Sequence, residues 1–312
     1  MRTFLVTGGA GFIGSHIADR LLSSGNRVRV LDNFDPYYDV SIKRANVARH
    51  LKDGNYELME GDIRDTGCVA KAVDGVDAII HEAAQPGVGI SVKDPVKSVD
   101  VNVHGTAAVL SAARDAGIKR IVFASSSSVY GKVEYLPFDE KHPNIPLSPY
   151  GASKLACEHL CRVFSELYGM ETPQLRYFTV YGPRMRPDLA INIFMHKAMR
   201  NEEITVFGDG SKSRSFTHID DIVDATMLAL QKGRTGPYNI GGEYRITVKE
   251  LLGKIIGITG SSSRVVYREN IKGDAEHTMA KNEKARKELG WSPKIDIDTG
   301  LGKYYEWVGK GK

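Results

Sequence analysis

Tyr150 and Lys154 stand four positions apart in the segment Tyr150-Gly151-Ala152-Ser153-Lys154. On a helix this spacing puts a phenol and an ammonium on one face, close to each other. A phenol ionises near pH 10; to act as a base near pH 7 it must be lowered by about 3 units, roughly 4 kcal/mol, and a nearby cation has the right sign. The run Ser125-Ser126-Ser127-Ser128 is a second reactive group, and a hydroxyl there is expected to donate to the oxygen that Tyr150 deprotonates. Taken alone, each has a plainer reading: a helix start with a surface Tyr and Lys, or a polar turn bonding its own backbone. Together they describe a proton-transfer site.

A third feature supplies a partner for that site. Thr7-Gly8-Gly9-Ala10-Gly11-Phe12-Ile13-Gly14 follows the apolar run Phe4-Leu5-Val6, where a strand turns into a helix. Gly8, Gly11 and Gly14 permit a tight turn, approach to a pyrophosphate and close helix–strand packing, and the helix N-terminus offers N–H groups to phosphates. Phe12 and Ile13 open that helix and belong to the same site. A second strand, Val28-Arg29-Val30-Leu31, ends in Asp32, followed by Asn33. An acid there accepts from two ribose hydroxyls and repels a 2′-phosphate, so NAD is expected rather than NADP. Strand alternation points Arg29 away from it. Lys154 is then also placed to hold the nicotinamide ribose.

The elements that must position these groups alternate. Strands are expected at 3–7, 27–32, 56–61, 77–81, 120–125 and 173–178, with helices at 12–23, 66–73, 96–116 and 149–168. This predicts an α/β fold, a Rossmann-type doubly wound parallel sheet, with its crevice at the carboxyl ends of the strands. Beyond residue 178, Gly and Pro punctuate shorter elements. Helices are expected at 220–231, capped by Asp220 or its neighbour, and at 247–257 and 282–289, ending near Gly260 and Gly290. The predicted division is an NAD-binding domain over 1–178, to which 215–240 returns, and a smaller interleaved α/β substrate lobe from 179–214 and 241–312.

Composition narrows the class. A net charge of +4 without a basic block does not imply nucleic acid, and no apolar run reaches a bilayer's length, so a cytoplasmic protein without membrane attachment is expected. Three cysteines, Cys68, Cys157 and Cys161, do not make a disulfide framework, and the last two read as buried thiols. No metal site is expected: His81, His104, His159 and His218 lack clustered partners and read as polar core residues.

With these residues in view, the chain resembles the extended short-chain dehydrogenase/reductase family, the nucleotide-sugar epimerases and dehydratases, over nearly its whole length. The resemblance rests on the glycine loop, Gly61-Asp62-Ile63, His81-Glu82-Ala83-Ala84, the serine run and the Tyr/Lys pair. It continues in Arg176-Tyr177-Phe178-Thr179-Val180-Tyr181-Gly182-Pro183, Arg214-Ser215-Phe216-Thr217 and Leu289-Gly290-Trp291-Ser292-Pro293. It implies that Asp62 and Ile63 meet the adenine and that Ala83 and Ala84 line the cofactor channel. Ser126 is the implied catalytic hydroxyl, and Arg214 the partner of a substrate diphosphate. Phe207 is placed against uracil, with ordinary core packing as the competing assignment. The implied reaction is 4-epimerisation of a UDP-sugar through a 4-keto intermediate, with NAD tightly bound and regenerated each turnover. It also implies a homodimer through helices 96–116 and 149–168, with Val99, Val103, Ala107, Leu110, Leu155 and Leu160 as the apolar seam.

Departures within the family sharpen the substrate. Dehydratases place Asp-Glu after the catalytic hydroxyl and decarboxylases a Glu at the place of Ser128; here Ser127 and Ser128 are neutral. Thr179 stands where UDP-glucose epimerases usually carry Asn, and Arg184-Met185-Arg186-Pro187-Asp188 follows, as in the UDP-glucuronate 4-epimerases. Ile271-Lys272-Gly273-Asp274 replaces an Arg-x-Gly-Asp near the diphosphate, with Asp274 retained. Arg186 with Thr179, Ser127 and Ser128 is therefore expected to hold a sugar carboxylate. The expectation is UDP-glucuronate to UDP-galacturonate. The alternatives are a UDP-glucose/UDP-galactose 4-epimerase, extending to N-acetylated sugars, and a non-catalytic NAD-binding regulatory protein.

Overall fold

The computed structural model describes residues 1–269 and 276–310. The expected alternation is present: β1 Thr3–Thr7, α1 Phe12–Ser23, β2 Arg27–Asp32, α2 Val40–Ala48, β3 Tyr56–Glu60, α3 Thr66–Val73, β4 Ala78–His81, α4 Val88–Lys93, α5 Pro95–Val99, α6 Gly105–Asp115, β5 Ile121–Ser126, α7 Pro149–Tyr168 and β6 Pro173–Tyr177. The remaining elements are β7 Val180–Tyr181, α8 Ala190–Met199, β8 Ile204–Phe207, β9 Ser213–Ser215, β10 Thr217–His218, α9 Ile219–Lys232, β11 Gly236–Ile240, β12 Arg245–Thr247, α10 Val248–Thr259, β13 Val265–Arg268 and α11 Ile297–Lys310.

Seven parallel strands form the central sheet in the order β11-β6-β5-β4-β1-β2-β3. The central strands β4 and β5 are buried at every residue, as a sheet covered on both sides requires. The order reverses direction between β1 and β4, the crevice where ligands of doubly wound sheets bind. Register brings Thr7, His81 and Phe123 level across β1, β4 and β5, and Ser126 level with Tyr177 of β6. Asp32 ends β2 at the same edge.

One core lies on the face covered by α1 and α9 and continues into α8, α10 and α11; the other lies under α3, α6 and α7. Trp291 is buried and donates from Nε1 to Asp221 O (2.9 Å), fixing the segment before α11 against α9. Cys157 and Cys161 are buried thiols, as expected.

Several expectations change in detail. The helix expected over 96–116 is present as one continuous helical run: Asp94 caps its start, a π-helical turn widens it over Asp100–His104, and α6 continues it. The wide turn carries Asn102 inward, where it accepts from Gln85 N (2.7 Å) and donates to Ser153 Oγ (2.8 Å). The cap of α9 is His218, whose Nδ1 accepts from Asp220 N (3.2 Å); Asp220 sits in the first turn instead. The segment over 282–289 closes with a π-turn, Ala285–Leu289, and Gly290 ends it in the left-handed region. His81 and His218 are core residues, whereas His104 and His159 are exposed. Leu110 is fully buried inside the α6 core and cannot belong to a subunit seam.

Candidate active site

A cleft at the carboxyl edge of the sheet gathers most of the reactive residues. It is lined by Gly8, Gly11 and Gly14, by Asp32, and by Tyr150, Lys154 and Arg186, with Glu82 and Gln85 on the wall formed after β4. Phe12, Ile13, Asn33, Ile63, Ala83 and Ala84 also face it.

The glycines are required by close approach. Gly8 has φ +68, and a Cβ there would lie 2.8 Å from the Ala83 backbone. A Cβ on Gly14 would lie 2.4 Å from Gly8 O. The first turn of α1 has no side-chain cap, so its N–H groups are free for a phosphate. At the far end of the cleft Asp32 is buried and accepts from Ala10 N (3.1 Å) and Phe34 N (2.8 Å), with Lys43 Nζ 3.9 Å away. Burial pushes its carboxyl up; Lys43 and the two N–H groups oppose that. A flat cradle for a diphosphate and an acid for a ribose therefore lie in one cavity, and the residues present fit a dinucleotide. Arg29 turns away to Glu57 (2.7 Å).

At the other end, α7 begins with Ser148 capping Gly151 N (3.1 Å), which fixes the first turn carrying Tyr150. Lys154 is buried and donates to Ala124 O (2.7 Å), so its ammonium is anchored to β5 beside the phenol's turn. A buried ion pair ties α7 to the sheet: Arg176 donates to both oxygens of Glu158 (2.9 and 2.7 Å), and Ser125 Oγ donates to Glu158 Oε1 (2.5 Å). The first residue of the serine run is thus structural.

Ser126 is buried, and its Oγ accepts from Ser128 N (3.1 Å), which leaves its own hydrogen to donate. Ser127, Ser128 and Thr179 line a second cavity together with Arg214 and Val88. Three segments, 86–88, 125–128 and 148–150, contribute residues to both cavities, so the two adjoin. Arg214 donates to Ser213 O (2.9 Å) and Glu276 O (3.0 Å).

The structure separates some residues that the sequence grouped. Arg186 lines the first cavity with Tyr150, while Ser127, Ser128 and Thr179 line the second. Its guanidinium is bidentate to Asp188 (2.9 and 3.0 Å), which also accepts from Tyr37 OH (2.9 Å). Asp62 turns its carboxylate to Arg64 and Asn33, and its neighbours Gly61 and Ile63 face the cleft. Phe207 is about half exposed at the end of β8, outside the core and both cavities. Asp274 lies outside the described residues. Sequence reasoning gave no role to Tyr37, Tyr38, Lys43, Glu82 or Gln85, which all line the cleft. Glu82 belongs to the His81-Glu82-Ala83-Ala84 stretch, but no spacing rule marks it or the other four.

A family profile described as GDP-mannose 4,6 dehydratase matches residues 5–304. A putative UDP-glucose 4-epimerase of Methanocaldococcus jannaschii is 38% identical over 97% of each chain. A UDP-glucuronate 4-epimerase of Thermodesulfobacterium geofontis is 36% identical, covering 98% of this chain and 96% of that one. Among solved structures, a Bacillus cereus UDP-glucuronic acid 4-epimerase in complex with UDP-glucuronic acid and NAD superposes with a TM-score of 0.94, at 34% identity, over 99% of this chain and 100% of that one. The match over nearly the whole chain, on a fold with the glycine cradle and the Tyr/Lys pair in one cleft, means that the chain belongs to the GDP-mannose 4,6-dehydratase family of extended short-chain dehydrogenases/reductases.

Proposed function

We propose that this chain is an NAD-dependent UDP-sugar 4-epimerase acting on UDP-glucuronate. The observation that carries the reading is that Tyr150 and Lys154 share a cleft with the glycine cradle and Asp32. NAD, when bound, supplies a hydride acceptor that returns the hydride to the opposite face of the sugar. Asp32 holds the adenosine ribose and the α1 N-terminus the diphosphate. Tyr150 takes the proton from the sugar 4-hydroxyl and later gives it back, Lys154 supplies the cation one helical turn on, and Ser126 donates to the same oxygen. A protein that only sensed NAD has no use for this proton-transfer pair.

The uronate preference rests on Arg186 lying in the cleft with Tyr150 and on the neutral Ser127 and Ser128 beyond it. A neutral UDP-glucose is the second reading, and the pairing of Arg186 with Asp188 favours it, because that guanidinium already has a carboxylate. A panel of UDP-glucose, UDP-N-acetylglucosamine and UDP-glucuronate, without added NAD, separates the two. Turnover of UDP-glucuronate to UDP-galacturonate is expected, and turnover of neutral sugars alone overturns the uronate assignment.

The same reading includes the substrate lobe over 179–214 and 241–312, in which Arg214 meets the diphosphate and Phe207 the uracil. It also includes a homodimer through the α5–α6 and α7 helices. The exposed Val96, Val99, Val163 and Leu167 support that seam, and light scattering at monomer mass overturns it. Among the described residues no helix is long and apolar enough to cross a membrane; a cytoplasmic location is part of the proposal.

Gly14→Ala is the sharpest test of the cradle. Its Cβ would overlap Gly8 O, so the loop must shift, at a cost of about 1–3 kcal/mol in stability. NAD affinity by calorimetric titration is expected to fall about tenfold or more; unchanged affinity removes the phosphate role of the loop.

A further inference from the structure

Glu82 has no part in the proton transfer above, yet it stands on the wall of the cleft. It follows β4 directly, and its backbone packs on the cradle: a Cβ at Gly8 would lie 3.1 Å from Glu82 C. Its carboxyl reaches across the strand ends to β6, where Tyr177 OH donates to Oε1 (2.9 Å). The Tyr177 oxygen is also 2.9 Å from Thr226 Oγ1, and Thr226 reaches Ile222 O (2.9 Å). This row of hydroxyls has two consistent arrangements of hydrogen. With Glu82 ionised, Thr226 donates to Tyr177 and Tyr177 to the carboxylate. With Glu82 protonated, the carboxyl donates to Tyr177, Tyr177 to Thr226, and Thr226 to the Ile222 carbonyl. Neither arrangement requires a heavy atom to move, so the site accepts both charge states.

The groups around Glu82 are few. Lys154 on α7 is the cation that acts on it, with Tyr150 in the same cleft; Tyr177 faces it from β6, and His81 precedes it on β4. α9 contributes only the neutral Thr226. Burial pushes the Glu82 carboxyl up to about 7, against the pull of Tyr177 and Lys154. Burial also holds His81 down at about 3, so its imidazole stays neutral at physiological pH. Burial thus moves the Glu82 carboxyl towards neutrality, and the hydroxyl row serves either of its charge states.

We propose that Glu82 sets the preference of the cleft between oxidised and reduced dinucleotide, holding the oxidised form more tightly when it is ionised. This rests on the NAD-binding reading above. The two forms share every phosphate and ribose and differ by one positive charge on the nicotinamide ring. Their affinity ratio thus cancels the diphosphate and leaves the effect of a carboxylate in the same low-dielectric cavity. Gain of charge at Glu82 attracts the cationic ring and gives the neutral ring nothing.

The test is direct binding of NAD and of NADH to the apo-protein between about pH 6 and about pH 9, by calorimetry and by NADH fluorescence. The ratio Kd(NADH)/Kd(NAD) is expected to rise about tenfold with pH in the natural protein and to stay flat in Glu82→Gln. In Tyr177→Phe the carboxylate loses a donor, so the rise is expected at higher pH. The Glu82→Gln variant retains Tyr150, Lys154, Tyr177 and His81, so a slope that persists in it belongs to one of them and overturns the assignment. A flat ratio in the natural protein overturns it as well. Failure to bind either dinucleotide at any pH instead overturns the cofactor reading.

Discussion

Tyr150→Phe is expected to lower epimerisation by about a hundredfold to ten-thousandfold, the range that a positioned general base supplies. The substitution removes one oxygen and leaves the ring that fills the first turn of α7. Ser148 still caps that turn through Gly151 N, and Lys154 still reaches Ala124 O. The glycine cradle and Asp32 lie on other elements, β1–α1 and β2, and do not depend on the phenol. NAD affinity should therefore change by less than about threefold while turnover collapses, a separation that a folding defect would not produce. Turnover, followed as conversion of one C4 epimer of the UDP-sugar into the other and measured beside NAD binding, checks both halves. If the variant epimerises at the natural rate, the proton leaves the sugar by another route and the mechanism is wrong.

Legibility in the sequence followed distance along the chain. The cradle, Asp32 and the Tyr/Lys pair are local: each lies within one strand–turn–helix or one helical turn, where periodicity and glycine chemistry are direct. The parallel sheet was legible for six strands because short strand-length runs alternate with helical periodicity along the chain, even though burial ranges from complete in β4 and β5 to partial in the edge strand β3. The seventh, β11, contains Gly236 and Pro237, which weaken its strand signal; proline is tolerated there because β11 is an edge strand. Contacts set by tertiary folding were not legible. Tyr37 meets Asp188 across 151 positions, and Glu82 meets Tyr177 across 95. The cap of α9 was misassigned for a related reason: His218 is an uncommon cap, and the acids after it suit the same end of the helix. The split of Arg186 from Ser127, Ser128 and Thr179 between two adjoining cavities likewise depends on where the chain returns after β7, which no spacing rule gives.

Arg186→Ala is expected to lower kcat/KM for UDP-glucuronate by about a hundredfold and to leave UDP-glucose turnover within about threefold of its starting value. The side chain is mostly buried, so the charge it offers a sugar carboxylate is weakly screened. Asp188 opposes that gain, because a substrate carboxylate must share or displace an existing partner. Asp188→Asn is therefore the complementary change: it keeps the side-chain size, frees the guanidinium and is expected to raise uronate affinity. The chemistry gives a second readout. A 4-keto uronate is a β-keto acid and loses carbon dioxide once its carboxylate bond aligns with the carbonyl π system. A fixed arginine beside Tyr150 holds the carboxylate out of that alignment; without it, a decarboxylated pentose nucleotide is expected among the products. Loss of uronate turnover with new pentose identifies Arg186 as the carboxylate's holder. Equal losses on UDP-glucose and UDP-glucuronate would instead mean that Arg186 serves only to pin Asp188 and Tyr37, and that substrate choice is made elsewhere in the cleft.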